Sequence, residues 1–294
     1  MRLRANGLLL EVEEHGSPSG EPLLLIMGLG MQLLGWPDGF VASLVGRGFR
    51  VIRFDNRDIG LSQGFDAAGV PNLAAGSIRH ALGLPVDSPY TLADMAADSL
   101  GVLDALGIRS AHVCGASMGG MIAQHLAVST PERVKSLTLM MTSSGSRRLP
   151  GPSMRVRAAL ISRPRDARSV AGIVEHYLGL YALIGSPAYP TARDELRRTF
   201  TTAVKRSHRP AGTARQMVAI AADGDRSPLL GRVGVPTHVI HGTVDPLVPV
   251  AAGHDLATRI PGATLDAVEG MAHDLPAALW PRFAAGIERA AARS

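Results

Sequence analysis

The sequence predicts an α/β protein: a mostly parallel sheet with helices on both faces and a helical insertion late in the chain. Three observations predict it. Short apolar, β-rich runs alternate with helix-like segments over most of the 294 residues, the rhythm of parallel strands joined by crossover helices. From Ser143 to Gly224 that rhythm gives way to helical periodicity with scattered Pro and Gly and no convincing strand. Finally, Gly115-Ala116-Ser117-Met118-Gly119 falls where an apolar run ends and a helical one begins.

Taken in order, Leu8 to Glu13 near the N-terminus reads as a strand or one arm of a hairpin. Strands are then expected at Leu23 to Met27, Arg50 to Phe54, Ala111 to Cys114, Leu137 to Met141, Thr237 to His241 and Ala263 to Val268. Helices are expected at Phe40 to Gly46, Leu92 to Leu106, Met118 to Ser129 and Ala277 to Ala291. The Leu92 helix carries its own start signal, Thr91 with Asp94 three residues on, and stops at Gly107. Residues 1–142 and 225–294 thus form one core, and 143–224 an inserted helical cap laid over the strand ends. There is no internal repeat.

Composition narrows the function classes. No apolar run reaches the roughly 18 to 20 residues needed to span a bilayer, although 46% of residues are hydrophobic. The start, Met1 to Gly7, meets acidic residues too soon for a signal peptide, and Cys114 is the one cysteine, so the chain reads as cytoplasmic. The net charge of +5 is local: residues 143–224 carry 14 Lys and Arg against 5 Asp and Glu, while the remainder is net acidic. Without aromatic interleaving or a nucleic-acid motif, this reads as a solvated arginine-rich helical surface, and no nucleic-acid partner is expected. No metal-ligand spacing and no dinucleotide fingerprint appear, so neither metal nor cofactor is expected.

The chemistry sits at the strand ends. A serine between glycines, at the turn from strand to helix, is a nucleophile elbow: the tight reversal lifts Ser117 Oγ clear of the sheet. The backbone N–H of Met118, at the helix N-terminus, then faces any oxyanion forming on a bound carbonyl. A second donor should come from the loop after the Leu23 strand, Met27-Gly28-Leu29-Gly30, and Leu29 N–H is the candidate. An activated serine also needs a base and an acid that orients the base. Asp245, just past the Thr237 strand, and His273, just past the last one, fit the order serine, acid, histidine. The loop after Met141 reads Thr142-Ser143-Ser144-Gly145 and offers no carboxylate, which leaves Asp223 and Asp225 as competitors for the acid. His241 reads as a structural residue ending its strand, and His112 and His125 as packing or surface residues. Cys114, inside the strand before the elbow, reads as an inert thiol.

At this point the chain resembles an α/β-hydrolase of the cap-bearing carboxylesterase type over nearly its whole length. Met27-Gly28-Leu29-Gly30, Gly35-Trp36-Pro37 and Arg53-Phe54-Asp55-Asn56-Arg57-Asp58-Ile59-Gly60-Leu61-Ser62 are most similar to aclacinomycin methylesterase-like hydrolases. Two positions depart from the wider family, which usually has His-Gly at Met27-Gly28 and Gly at Asp58; the methylesterase-like branch shares the second. The resemblance implies the α/β-hydrolase fold and a serine hydrolase cleaving carboxylic esters through Ser117, His273 and Asp245. Gly28 and Trp36 are expected at the substrate pocket. The expected partner is a small-molecule ester, with self-association left open. A cofactor-free haloperoxidase-like perhydrolase, a lactonase or an acyltransferase would use the same triad, and a ligand-binding protein that lost the chemistry would keep the fold.

Overall fold

The computed structural model describes residues 1–294. The chain opens with a hairpin, β1 (Arg2–Ala5) and β2 (Leu8–His15), turned by Asn6 and Gly7. Their φ values of 47° and 78° are the paired positive values of a type I′ turn, which matches the twist of the strands it joins. There follow β3 (Glu21–Ile26), α1 (Asp38–Val45), β4 (Phe49–Phe54), α2 (Leu73–Leu82), α3 (Leu92–Ala105), β5 (Ala111–Ala116), α4 (Met118–Ser129) and β6 (Val134–Met140). Four helices come next without a strand between them: α5 (Met154–Ile161), α6 (Val170–Ile184), α7 (Arg193–Arg206) and α8 (Pro210–Asp223). The chain then re-enters the sheet with β7 (Thr237–Gly242), α9 (Ala251–Arg259), β8 (Thr264–Val268) and α10 (Trp280–Ala291). No helix is long and apolar enough to cross a membrane.

The eight strands form one sheet in the order β1-β2-β4-β3-β5-β6-β7-β8. The first three neighbours pair antiparallel and every pair from β4 to β8 is parallel. Alternation along β3 sorts its side chains: Leu24 and Ile26 join the apolar layer under α3 and α4, whereas Leu23 and Leu25 join the layer under α1 and α10. Burial on both faces is why these strands read as continuous apolar runs.

Register sets the position of the site. Ile26 lies opposite Gly115, Met140 opposite both Ala116 and Ile240, and Gly242 opposite Val268. The loops leaving β3, β5, β7 and β8 therefore emerge side by side at the carboxyl edge of the sheet, where open α/β sheets bind ligands. At the amino edge, a depression of about 670 Å³ lined by Glu21, Phe49, His112 and Lys135 lies at the wrong end of the strands for those loops to reach.

Candidate active site

The turn from β5 into α4 is closed by contacts that admit no side chain at its flanking glycines. A Cβ on Gly115 would stand 2.3 Å from Gly119 O, and one on Gly119 would stand 2.0 Å from Ile26 O. Strand and helix can therefore approach closely enough to force Ser117 to φ 54°, ψ −120°, a left-handed-side conformation that costs a serine on the order of 1–3 kcal/mol. Neighbouring bonds hold it there. Ser117 N–H donates to Met140 O at 2.9 Å, and Thr142 Oγ1 donates to Ser117 O at 2.6 Å.

The side chain of Ser117 points at a histidine. Its Oγ lies 3.1 Å from His273 Nε2, and His273 Nδ1 lies 2.7 Å from Asp245 Oδ2. The second carboxylate oxygen of Asp245 accepts from Leu247 N–H at 2.9 Å and Val248 N–H at 2.8 Å, which fixes the carboxylate plane. An acceptor-only carboxylate on Nδ1 requires the proton there, so Nε2 is left as the base facing the hydroxyl. His241, buried beside Asp245, donates from Nε2 to Val248 O at 2.7 Å, and burial holds its imidazole below the usual histidine range. It is a neutral structural group, as its place at the end of β7 suggests.

Asp223 and Asp225, the competing acids, lie elsewhere. Asp223 binds His125 Nε2 at 2.7 Å and pairs with Arg226, and Asp225 accepts from Ser227 N–H. His112 is buried against Ser136 Oγ. Cys114 is fully buried, its Sγ 3.6 Å from Met140 Sδ, and burial pushes its thiol well above the ordinary range.

The loop after β3 lies against the serine. A Cβ on Gly28 would be 3.1 Å from Ser117 Cβ, which puts this backbone in contact with Ser117. Leu29 N–H makes no hydrogen bond within the protein, while the loop around it is held: Asn56 Nδ2 donates to Met27 O at 2.9 Å and Gly30 N–H donates to Gln216 Oε1 at 2.9 Å. Met118 N–H lies in the first turn of α4 and so has no acceptor within the helix. The structure places Trp36 in the core. Its ring is fully buried in the layer under α1 and α10, stacked 6.0 Å from Phe40. Its large apolar area is better satisfied in the core than at the strand edge.

Several residues around the site carried no sequence signal. Gln216, on α8 and fully buried, also donates from Nε2 to Arg57 O at 3.0 Å. Its two backbone partners, one donor and one acceptor, dictate the orientation of the amide. It braces the loop where the wider family usually has a histidine preceding Gly28. Asp55, buried, accepts from Leu33 N–H at 2.7 Å, Leu61 N–H at 2.9 Å and Arg206 of α7 at 2.7 Å. Burial nevertheless outweighs these partners and raises its carboxyl.

Comparison with known proteins gives the family. Residues 21–276 match the family model for the α/β-hydrolase fold. The chain belongs to the α/β-hydrolase family. Over 300 residues it is 33% identical to rhodomycin D methylesterase of Streptomyces peucetius, covering 94% of this chain and 92% of that one. Pimeloyl-[acyl-carrier protein] methyl ester esterase of Chromobacterium violaceum is 33% identical over 156 residues, 53% of this chain and 59% of that one. Among solved structures, a meta-cleavage product hydrolase from Pseudomonas fluorescens IP01 superimposes with a TM-score of 0.75 at 18% identity, covering 98% of this chain and 96% of that one. At that identity the last likeness concerns the fold of this hydrolase alone.

Proposed function

We propose that this α/β-hydrolase cleaves a carboxylic ester with Ser117 as nucleophile, His273 as base and Asp245 as the acid that orients it. The observation that carries the reading is the continuous chain from Ser117 Oγ to His273 Nε2 at 3.1 Å and from His273 Nδ1 to Asp245 at 2.7 Å. Ser117 Oγ attacks the ester carbonyl while His273 takes its proton, and Asp245 stabilises the imidazolium that results. The free N–H groups of Leu29 and Met118 receive the oxyanion. The imidazolium then gives its proton to the departing alcohol. Water, deprotonated by the same histidine, attacks the acyl-enzyme, and the proton returns to Ser117 as the acid leaves.

Residues 143–224 act as a cap over this site. Supporting that role, α6 and α7 hold an apolar cluster of Ile173, Val174, Leu178, Phe200 and Val204, and α8 reaches the Gly28 loop through Gln216. The substrate class favoured is a methyl or other small-alcohol ester of a larger acid, because both curated relatives described above carry a methyl ester in their names. With a single, buried cysteine, the cytoplasm is the proposed location.

The test is a panel of esters varied separately in acyl and alcohol size, run on wild type and Ser117→Ala. Loss of the nucleophile should lower kcat by a factor on the order of 10⁶, with the fold unchanged by circular dichroism. A fluorophosphonate should label the peptide containing Ser117 and nothing else. If Ser117→Ala keeps more than a few per cent of activity after repurification, the triad assignment is wrong.

A further inference from the structure

Three successive residues of the histidine loop are tied to the helical segment. Ala272 N–H donates to Ser186 Oγ at 2.8 Å, and His273 N–H donates to Ile184 O at 2.8 Å. The next residue, Asp274, is buried, yet its carboxylate meets no Lys, Arg or His. It accepts instead from Tyr181 Oη at 2.6 Å, from Ser186 N–H at 3.2 Å and from Ser186 Oγ. All these partners lie in the last turn of α6 or just beyond it. Tyr181 also packs edge-on against Phe200, 6.0 Å away, and so joins the apolar cluster of the helical segment to the carboxylate. The carboxylate in turn drives the Tyr181 hydroxyl above its usual range, after burial the second cause of that shift.

A buried carboxylate without a cation is costly unless donors satisfy it fully, and these donors come from one place. A simple fastening would be served as well by a neutral side chain. What Asp274 adds is direction: both oxygens are engaged, so the backbone at 272–274 cannot rotate about the β8 exit without breaking three bonds.

We infer that Asp274, clasped by Tyr181 and Ser186, is a positioning residue that holds His273 Nε2 within reach of Ser117, so that the helical segment sets the alignment of the base. The inference rests on the assignment of Ser117 and His273 proposed above. It makes α6 part of the support for proton transfer as well as a cover for the substrate.

The experiment uses the full chain and p-nitrophenyl butyrate as probe, with Asp274→Asn, Tyr181→Phe, Ser186→Ala and the Asp274→Asn/Tyr181→Phe double variant. In Asp274→Asn, kcat should fall by about 10- to 100-fold with KM within about twofold, the scale of loss from a slight misplacement of a reacting group. The rate of Ser117 labelling by fluorophosphonate should fall in parallel, since it needs the same proton transfer. Tyr181→Phe should show a smaller loss of the same kind, and the double variant should lose little more than Asp274→Asn, because the two act through one contact. A lowered Tm with kcat and labelling rate both within about twofold of wild type would reduce Asp274 to a structural fastening and overturn the inference. So would a raised KM at unchanged kcat. Should Asp274→Asn not fold, Tyr181→Phe, which removes one oxygen atom, carries the same two readouts. Ser117→Ala is run alongside: if it stays active, the triad reading itself has failed, whereas a labelled wild type with indifferent clasp variants sinks the clasp alone.

Discussion

Leu24 and Arg215 are both buried, one in the middle of the sheet and one in helix α8, and opposite forces put them there. Leu24 belongs to an apolar layer of 30 buried side chains, and the opposite face of the sheet carries another of 20, so the core rests on non-directional burial. In the helical segment, α6 and α7 share an apolar cluster of 5 buried residues, and α8 sends Ala219 into the larger layer. Charges and amides add directed bonds to that docking. Arg215 makes a bidentate pair with Asp58 at 2.7 and 2.8 Å, Arg206 reaches Asp55, and Gln216 spans Gly30 and Arg57. Asp58 has φ 73° where the wider family usually has glycine, and accepts from Tyr90 Oη and Phe65 N–H as well. Burial pushes its carboxyl up, but these partners prevail and hold it below the usual range. The difference teaches that apolar layers fix how firmly a part is held, whereas buried polar bonds fix where it sits. In the proposed role of a cover, the helical segment needs the second.

Arg215→Met should break the comparison most visibly. Leaving Asp58 buried without its cation should cost about 3–5 kcal/mol in denaturant unfolding, comparable to the roughly 2–5 kcal/mol of Leu24→Ala. The two losses should differ in how they are repaired. Asp58→Gly combined with Arg215→Met removes both charges and relieves the positive φ, so it should regain most of the loss; if the double variant is no better than Arg215→Met, the pair is not what seats α8.

Gln216→Leu sharpens the same contrast at the site. It keeps the volume and deletes both amide bonds, leaving Gly30 N–H and Arg57 O unsatisfied at about 1–3 kcal/mol. Because Leu29 N–H would serve charge that develops only in the transition state, kcat should fall by up to about 10²-fold with KM little changed. A rise in KM alone would assign Gln216 to substrate binding.

Acid should separate the regions by smaller steps. Burial holds the imidazoles of His112, His238 and His241 below the usual histidine range. Their unfolded counterparts take up protons near pH 6.5, so unfolding binds protons as the pH drops and the sheet should lose stability from about pH 7 downward. Asp58 and Asp223 are lowered as well, but by their partners and against the effect of burial, Asp223 by His125 and Arg226. Their contribution persists above the ordinary aspartate value and should disappear only below about pH 4. Denaturant midpoints at pH 7.5 and 5.5 check the first part, with His238→Asn expected to flatten the slope. A midpoint that rises on acidification would reverse the sign and refute it.

What the sequence disclosed follows the same division. Each expected strand lies within a few residues of an observed one, and the Met118 to Ser129 helix and the Thr91–Asp94 capping box appear as read, because apolar runs and caps are local signals. Helices α2 and α9 escaped. Gly76 is the buried residue of α2, and Ile78 and Leu82 are exposed, so that helix shows no apolar stripe. Ser117, Asp245 and His273 were legible because each ends or follows a recognisable strand. Gln216, Tyr181, Ser186 and Asp274 were not, since their partners lie tens to hundreds of positions away and polar side chains in helices look alike until the fold pairs them. Trp36 lies close in sequence to the Gly28 loop, yet its ring stacks on Phe40 in the apolar layer under α1 and α10.

Ser117 and His273 stand 156 positions apart, and Gly30 waits for a partner 186 positions further on. A ribosome would therefore release the nucleophile elbow long before the residues that activate and brace it. Pairings of such long range are slow to form, and parallel sheets especially so. On the proposed triad, the strained serine would exist during synthesis without its base, chemically silent, and a chain stopped anywhere before residue 273 could fold much of its sheet without becoming a hydrolase. Catalytic competence in this molecule is thus a late event of folding, and the appearance of turnover during refolding would time the arrival of the last strand.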